Sequence, residues 1–521
     1  MSDQLFWLPL LMPGEICELD HEADPFDWRE TESSHPTGPV FRRPIACTPA
    51  YGCGVDTQSR PTTLAELRAS GWIDRTVKEE LRDNLVTRLQ SGARLFEGIV
   101  GFDDTVLPAL ERAVLAGHDI IFLGERGQAK TRLIRLLVDL LDDEIPIIEG
   151  CEINDSPYSP VCAACRHLVA EEGESVAVRW VDRTRRFGEK LATPDTAVAD
   201  LIGDVDPIKV AEGRHLADEL TIHFGLVPRT NRGIIAINEL PDLPTRIQVS
   251  LLNVLEERDI QIRGYTIRLP LDVLLVASAN PEDYTNRGRI ITPLKDRFGS
   301  EVRTHYPRSI EDEIAIMLQE SHDTVDAVDV TVPEFLDEIL AEFTHLVRAS
   351  SHINQRSGVS VRFSVANRET VIASAARRAL RTMAAHAVAR VSDLPSILQS
   401  SMGRIEFEVF EEGREHDILD RLLSTAVLEV FRNWLLGTDF TEWVSAFNSG
   451  MELETGDLVA DDEIVRQARA VGDIDTILRT LDLDVESPAH AAAGIEFVLE
   501  GLHLSRRLNK TSERGGARYR G

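Results

Sequence analysis

The segment Gly124-Glu-Arg-Gly127-Gln128-Ala129-Lys130-Thr131 constrains this chain more than any other. It follows the apolar run Ile120–Leu123 and opens a helical pattern through Leu133, Leu136, Leu137 and Leu140. A strand, a glycine-bearing loop and a helix in that order make a phosphate-binding loop. Backbone N–H groups at the helix start can cradle phosphate oxygens. Lys130 adds a point charge, and the Thr131 hydroxyl can ligate Mg²⁺. Ala129 stands where the common pattern has glycine; alanine at a helix start is sterically mild and favours helix.

The flanking chain supplies a matching architecture. Apolar runs at Ile120–Leu123, Val176–Val181, Gly233–Ile237 and Val273–Ala277 alternate with helical patterns. Such alternation predicts an α/β domain with a mainly parallel sheet, whose buried strands read as continuous apolar runs. Beyond about residue 308 helical periodicity dominates, with one short alternating run at Arg404–Phe410. The expected organisation is a disordered tail over 1–60, a helical lead-in over 61–94 and an α/β core over 95–306. A helical lid over 307–400 and a helical extension over 401–521 with a frayed basic tail follow.

A second polar motif closes a buried strand: Gly233-Ile-Ile-Ala-Ile-Asn238-Glu239. In phosphate-loop ATPases this strand end carries Asp-Glu, the Asp for Mg²⁺ and the Glu to orient and deprotonate water. Asn238 can still accept from a Mg²⁺-bound water but brings no charge. Glu239 is the candidate base.

Composition narrows the partners. There are 56 Lys+Arg against 87 Asp+Glu, a net charge of −31. A chain this acidic is a poor binder of nucleic acid or anionic membrane. No run reaches the ~20 apolar residues of a membrane span, and the patch Phe6–Met12 reads poorly as a secretory signal. The expectation is a cytoplasmic protein.

Further segments stand in order around the two motifs. Gly98-Ile-Val100-Gly101 precedes the first strand, and Thr193–Asp206 and Phe224–Gly233 precede the second motif. Leu251–Arg258 and Ile260–Leu269 follow it, the latter with hairpin character around Gly264. Val276–Pro281 contains Asn280, and Leu294-Lys-Asp-Arg297-Phe298 comes next. Ser357–Arg362 leads into a helical pattern beginning near Asn367.

This set resembles AAA+ ATPases of the magnesium-chelatase ATPase-subunit and MoxR group, over roughly residues 95–400. The resemblance implies an AAA+ αβα nucleotide-binding core with a parallel sheet, a helical lid, and ATP with Mg²⁺ as ligands. Val100 and Gly101 would lie at the adenine, and Gly124, Gly127, Gln128, Ala129, Lys130 and Thr131 at the phosphates. Thr131 and Asn238 would serve Mg²⁺. Glu239 would be the base and Asn280 the first sensor. Arg297 would act as an arginine finger across a subunit boundary. Arg362, with Arg368 as the alternative, would be the second sensor.

A finger acting in trans implies a closed ring, by resemblance a hexamer. The resemblance also implies a partner with a von Willebrand A-type domain. The work would be metal insertion in the chelatase branch or client maturation in the MoxR branch. A nucleotide-gated scaffold with little turnover is the alternative that Asn238 motivates. A nucleic-acid motor is opposed by the charge.

Cys151, Cys162, Cys165 and His167 form a separate group. Cys-x2-Cys with a nearby Cys and His has the ligand chemistry of structural Zn²⁺. Unconnected thiols and a redox Cys-x2-Cys are the other readings, and a Cys162–Cys165 disulfide fits a reducing compartment poorly.

Overall fold

A computed structural model describes residues 60–521, except 207, 209–210, 212–218, 257–259, 263–264, 268, 282–288, 323–326, 356, 409–410, 412 and 514–515. The expected tail up to residue 59, and Gly264, lie outside the described residues.

Strand β1 (Ile120–Leu123) runs into the helix Lys130–Leu136. An antiparallel pair follows, β2 (Glu144–Ile148) with β3 (Val178–Asp182). Then come β4 (Phe187–Leu191) and a short antiparallel pair, β5 (Gly203–Val205) with β6 (Ile222–Phe224). Strand β7 (Gly233–Asn238) leads to the helix Thr245–Glu256. The hairpin β8 (Ile260–Ile262) and β9 (Tyr265–Ile267) forms as expected. Strands β10 (Val273–Ala279) and β11 (Ser300–Arg303) complete the core.

Five of these strands form one sheet in the order β11-β1-β10-β7-β4, all neighbours parallel. The alternation of a strand sends its side chains to opposite faces. Here Ile121, Leu123, Ile235, Ile237, Leu275 and Ala277 enter one hydrophobic cluster. Ile120, Phe122, Ile234, Ala236, Leu274 and Val276 enter another. A sheet buried on both faces is a three-layer αβα core. The run Val176–Val181 is the exception to the expected sheet. It becomes β3, which pairs with β2 away from the main sheet.

The lead-in helices pack onto this core. Thr76 caps the helix Val77–Ser91 reciprocally with Glu79. From that helix Glu80 accepts two hydrogen bonds from Arg186, and both side chains are almost fully buried.

Residues after 308 form mostly helices around a third cluster, which runs from Met317 to Tyr519. Lid and extension therefore share one core. Phe335 stacks on Phe497 with centroids 4.3 Å apart. Among the described residues, Arg404–Phe410 contributes a single bridge, Phe407 with Ile353. The basic tail is not frayed: Asn509–Glu513 and Gly516–Arg520 pair with each other, and the latter with Glu452–Gly456. Arg518 meets Glu452 and Glu454, and Tyr519 is buried against Glu500. Charge pairing with an acidic strand and one buried ring anchor this segment. No helix among the described residues is long and apolar enough to cross a membrane.

Candidate functional site

Parallel strands point their C-terminal ends to one edge, where open α/β sheets bind ligands. Register places Leu123 beside Ala279 and Ala277 beside Ile237. The residues that follow these tips, Gly124, Asn280 and the Asn238-Glu239 pair, are thereby brought together.

Lys130 is buried at the centre of this group. Its ammonium donates to the carbonyls of Gly124 and Glu125, the latter at 2.8 Å, and to Asn280 Oδ1 at 2.7 Å. Asn280 Nδ2 donates to Glu239 Oε2 at 2.8 Å. Lys130, Asn280 and the candidate base Glu239 thus form one continuous row. Glu239 has φ +55°, a left-handed backbone that costs a non-glycine residue of order 1–3 kcal/mol. Its N–H donates to Ser278 Oγ at 3.2 Å. Thr131 is half-buried in the first turn of the helix, next to Lys130.

Asn238 is buried and fully engaged by its neighbours. It accepts from Ser278 Oγ at 3.3 Å and donates to Glu189 Oε1 at 2.7 Å. Glu189 in turn accepts two bonds from Arg135, at 2.9 and 3.1 Å. A carboxylate on the adjacent strand therefore stands beside the neutral amide. Motif reading missed it, because β4 carries no continuous apolar run.

The loop is walled from both sides. Gln128 Oε1 accepts from Glu125 N at 3.0 Å and from Thr304 Oγ1 at 2.9 Å. A Cβ on Gly124 would lie 1.9 Å from Thr304 Oγ1. Gly127 has φ +77°, and a Cβ there would lie 1.9 Å from Ser360 Oγ. Both positions admit only glycine without rearrangement. The lid thus touches the loop directly, and Tyr306 adds a bond from its hydroxyl to the Arg126 carbonyl at 3.0 Å. Ala129 has φ +53° and precedes the helix in a left-handed conformation. Helix propensity therefore does not explain the alanine; it carries backbone strain where glycine would carry none.

Val100 is half-buried. Gly98 O accepts from Gln319, and a Cβ on Gly101 would meet Asp312, both on the helix Ile310–Glu320. The segment Gly98–Gly101 therefore lies between the core and the helical region. The second-sensor candidates separate clearly. The helix begins at Arg362, not near Asn367, and Arg362 is exposed two positions after Ser360. Arg368 is buried in bonds to Asp337 (2.8 Å) and Ser321 (2.7 Å).

The sigma-54 interaction domain family matches residues 217–296. The magnesium-chelatase 38 kDa subunit of Rhodobacter capsulatus is 30% identical over 263 residues, covering 46% of this chain and 66% of that one. The chain is a homologue of the magnesium-chelatase ATPase subunits. The same subunit of Cereibacter sphaeroides is 29% identical over 258 residues, covering 47% of this chain and 68% of the relative. The match spans 66% and 68% of these two relatives' own lengths. A model of the complex between subunits BchI and BchD of magnesium chelatase, based on single-particle cryo-EM, is 22% identical with a TM-score of 0.33. It covers 64% of this chain and 94% of that one. The five-stranded sheet and its helices are an AAA+ core followed by a helical region.

Two groups stand apart from the row. Arg297 ends the helix Thr292–Arg297, is half-exposed and pairs with Glu256. No described hydrogen bond joins it to the phosphate loop of its own chain. The cysteines gather beyond β2, and their fourth neighbour is Asp155. Cys151, Asp155, Cys162 and Cys165 have ligand atoms all within 4.8 Å of one another. His167 is exposed, and the expectation that it joins them is corrected. It follows Cys165 by two positions on the helix Ala163–Glu172, and residues so spaced face different sides. Burial pushes the Asp155 carboxyl up to about 7. Hydrogen bonds with Cys162 and Cys165 bring the Cys151 thiol down to about 4, and Cys165 is pushed up by its bonds with Cys151 and Cys162.

Proposed function

We propose that this chain binds and hydrolyses ATP with Mg²⁺ and works as a subunit of an oligomeric ring. The row Lys130–Asn280–Glu239 carries the proposal. It aligns a phosphate charge, a polar sensor and a carboxylate base at the sheet edge. Lys130 would exchange its carbonyl contacts for β- and γ-phosphate oxygens. Glu239 would deprotonate the attacking water, oriented by Asn280. The polar groups of buried Asn238 and partly exposed Glu189, with Thr131, fit a hydrated Mg²⁺, which would neutralise phosphate charge. Arg362 would report the γ-phosphate to the lid from a helix start that touches the loop through Ser360.

Arg297 would complete a neighbouring subunit's site, as its half-exposed position at the end of a helix permits. The closed ring, a hexamer by family analogy, follows from that role. The work would be remodelling of a partner protein, either metal insertion with a chelatase-type partner or MoxR-like client maturation with a von Willebrand A-type partner. A cytoplasmic site of action agrees with such clients. Mixed rings test the arrangement. Lys130→Ala and Arg297→Ala subunits, each inactive alone, should regain phosphate release when combined. Failure of every mixture to do so would remove the trans role.

A second reading rests on Asn238. Its neutral amide, already bonded to Glu189 and Ser278, suits a nucleotide-gated scaffold with slow turnover. Tight ATP binding without phosphate release would favour it.

A further inference from the structure

The cysteine group is built like a metal centre, independently of how the nucleotide site is read. Cys151 follows β2, Cys162 caps the helix Ala163–Glu172, and Cys165 lies in its first turn. Asp155 comes from the loop between them and is fully buried. Its Oδ2 accepts from the N–H groups of Val161 (3.1 Å) and Cys162 (2.9 Å). Its Oδ1 is buried with no hydrogen-bond partner. A carboxylate oxygen left so is costly unless a cation or proton meets it.

Two of the three sulfurs accept backbone N–H groups. Cys151 Sγ accepts from the N–H of Ile153 (3.4 Å) and of Asp155 (3.3 Å). Cys162 Sγ accepts from the N–H of Cys165 at 3.3 Å. Amide donors to sulfur favour the thiolate, the form that binds metal. In a tetrahedron with Zn–S of about 2.3 Å, ligand atoms stand about 3.8 Å apart. Four atoms within 4.8 Å need only a small inward movement to reach that spacing. Three thiolates and a carboxylate around a divalent ion leave net negative charge. Arg179, Arg185 and Arg229 line one cavity with Cys151, so cations stand nearby.

We propose that Cys151, Asp155, Cys162 and Cys165 bind one structural Zn²⁺. Four protein ligands close the coordination shell, as structural zinc sites do. The ion ties the end of β2 to the start of the helix Ala163–Glu172. The same insertion reaches the approach to β7: Asn154 donates to the Arg229 carbonyl at 3.0 Å. Ser156 and Arg232 share Asp74. The metal would hold this scaffold rather than take part in phosphoryl transfer.

The test is metal analysis by mass spectrometry on full-length protein, expressed with zinc supplied and purified without chelator. About one zinc per chain is expected in wild type and in His167→Ala, and less than a tenth of that in Cys162→Ser and Asp155→Ala. Because those two variants can misfold, wild type is also titrated with a mercurial reagent beside a zinc-sensitive dye. Zinc should leave in step with three thiols. Absence of zinc from wild type, whether replaced by iron, a Cys162–Cys165 disulfide or nothing, overturns the proposal. So does full zinc in Asp155→Ala, or its loss in His167→Ala.

Discussion

Asn280 Oδ1 lies 2.7 Å from Lys130 Nζ, joining residues 150 positions apart. The same amide holds Glu239 through its nitrogen. One side chain therefore sets the separation between the phosphate charge and the candidate base.

Asn280→Ala should leave ATP binding nearly intact, because Lys130 and the backbone N–H groups of the loop, not Asn280, would hold the phosphates. Turnover should fall by about 100-fold, the usual loss for one oriented polar group at a reacting centre. Parallel measurement of nucleotide affinity and steady-state phosphate release checks both.

Asn238→Asp puts a second carboxylate against Glu189, whose bond from Asn238 Nδ2 is lost. Without Mg²⁺ the variant should be destabilised by about 1–3 kcal/mol at pH 8. Mg²⁺ with ATP should recover most of that and raise turnover above wild type. Melting curves with and without Mg²⁺·ATP report the first effect.

Glu80 and Arg186 are buried as a pair, with side-chain exposures of 4% and 1%. Removing one partner of such a pair typically costs 3–5 kcal/mol. Glu80→Ala should show a loss of about that size in urea unfolding, because the lead-in helix is part of the core. Truncation before residue 92 should be at least as damaging.

In the helical region Glu342 faces Glu429 and Glu338, and burial, then Glu429, pushes its carboxyl up to about 7. The folded state therefore holds this proton more tightly than the unfolded chain does. Its stabilising contribution is full below about 4.5 and is lost as pH rises through 7. Glu342→Gln should raise the melting temperature at pH 8 and flatten its dependence between pH 5 and 8. Circular dichroism melts at three pH values measure this.

What could be read from the residues divides along physical lines. Strands β1, β7 and β10 are central and buried on both faces, so each is a continuous apolar run. Strands β4 and β11 form the sheet's edges, and Phe187–Leu191 and Ser300–Arg303 carry too little apolar pattern to show. The helix Pro488–Leu504 is buried almost all round, so it has no polar face to mark a period. The phosphate loop was readable because its chemistry is local. Thr304 and Ser360 meet the loop, and Glu189 meets Asn238, only through tertiary contact, and nothing in the sequence around Glu189 and Thr304 marks them. Asp155 replaced His167 for a related reason: proximity in sequence suggested the histidine, but helix geometry turned it away.

ATP hydrolysis at the Lys130–Asn280–Glu239 row is read out by Mg²⁺-dependent phosphate release, with nucleotide binding measured on the same samples of wild type, Lys130→Ala and Glu239→Gln. Turnover is expected in wild type alone. Lys130→Ala should lose binding, and Glu239→Gln should keep ATP bound and unhydrolysed. Unchanged turnover in Glu239→Gln, or no ATP bound by wild type, would contradict it.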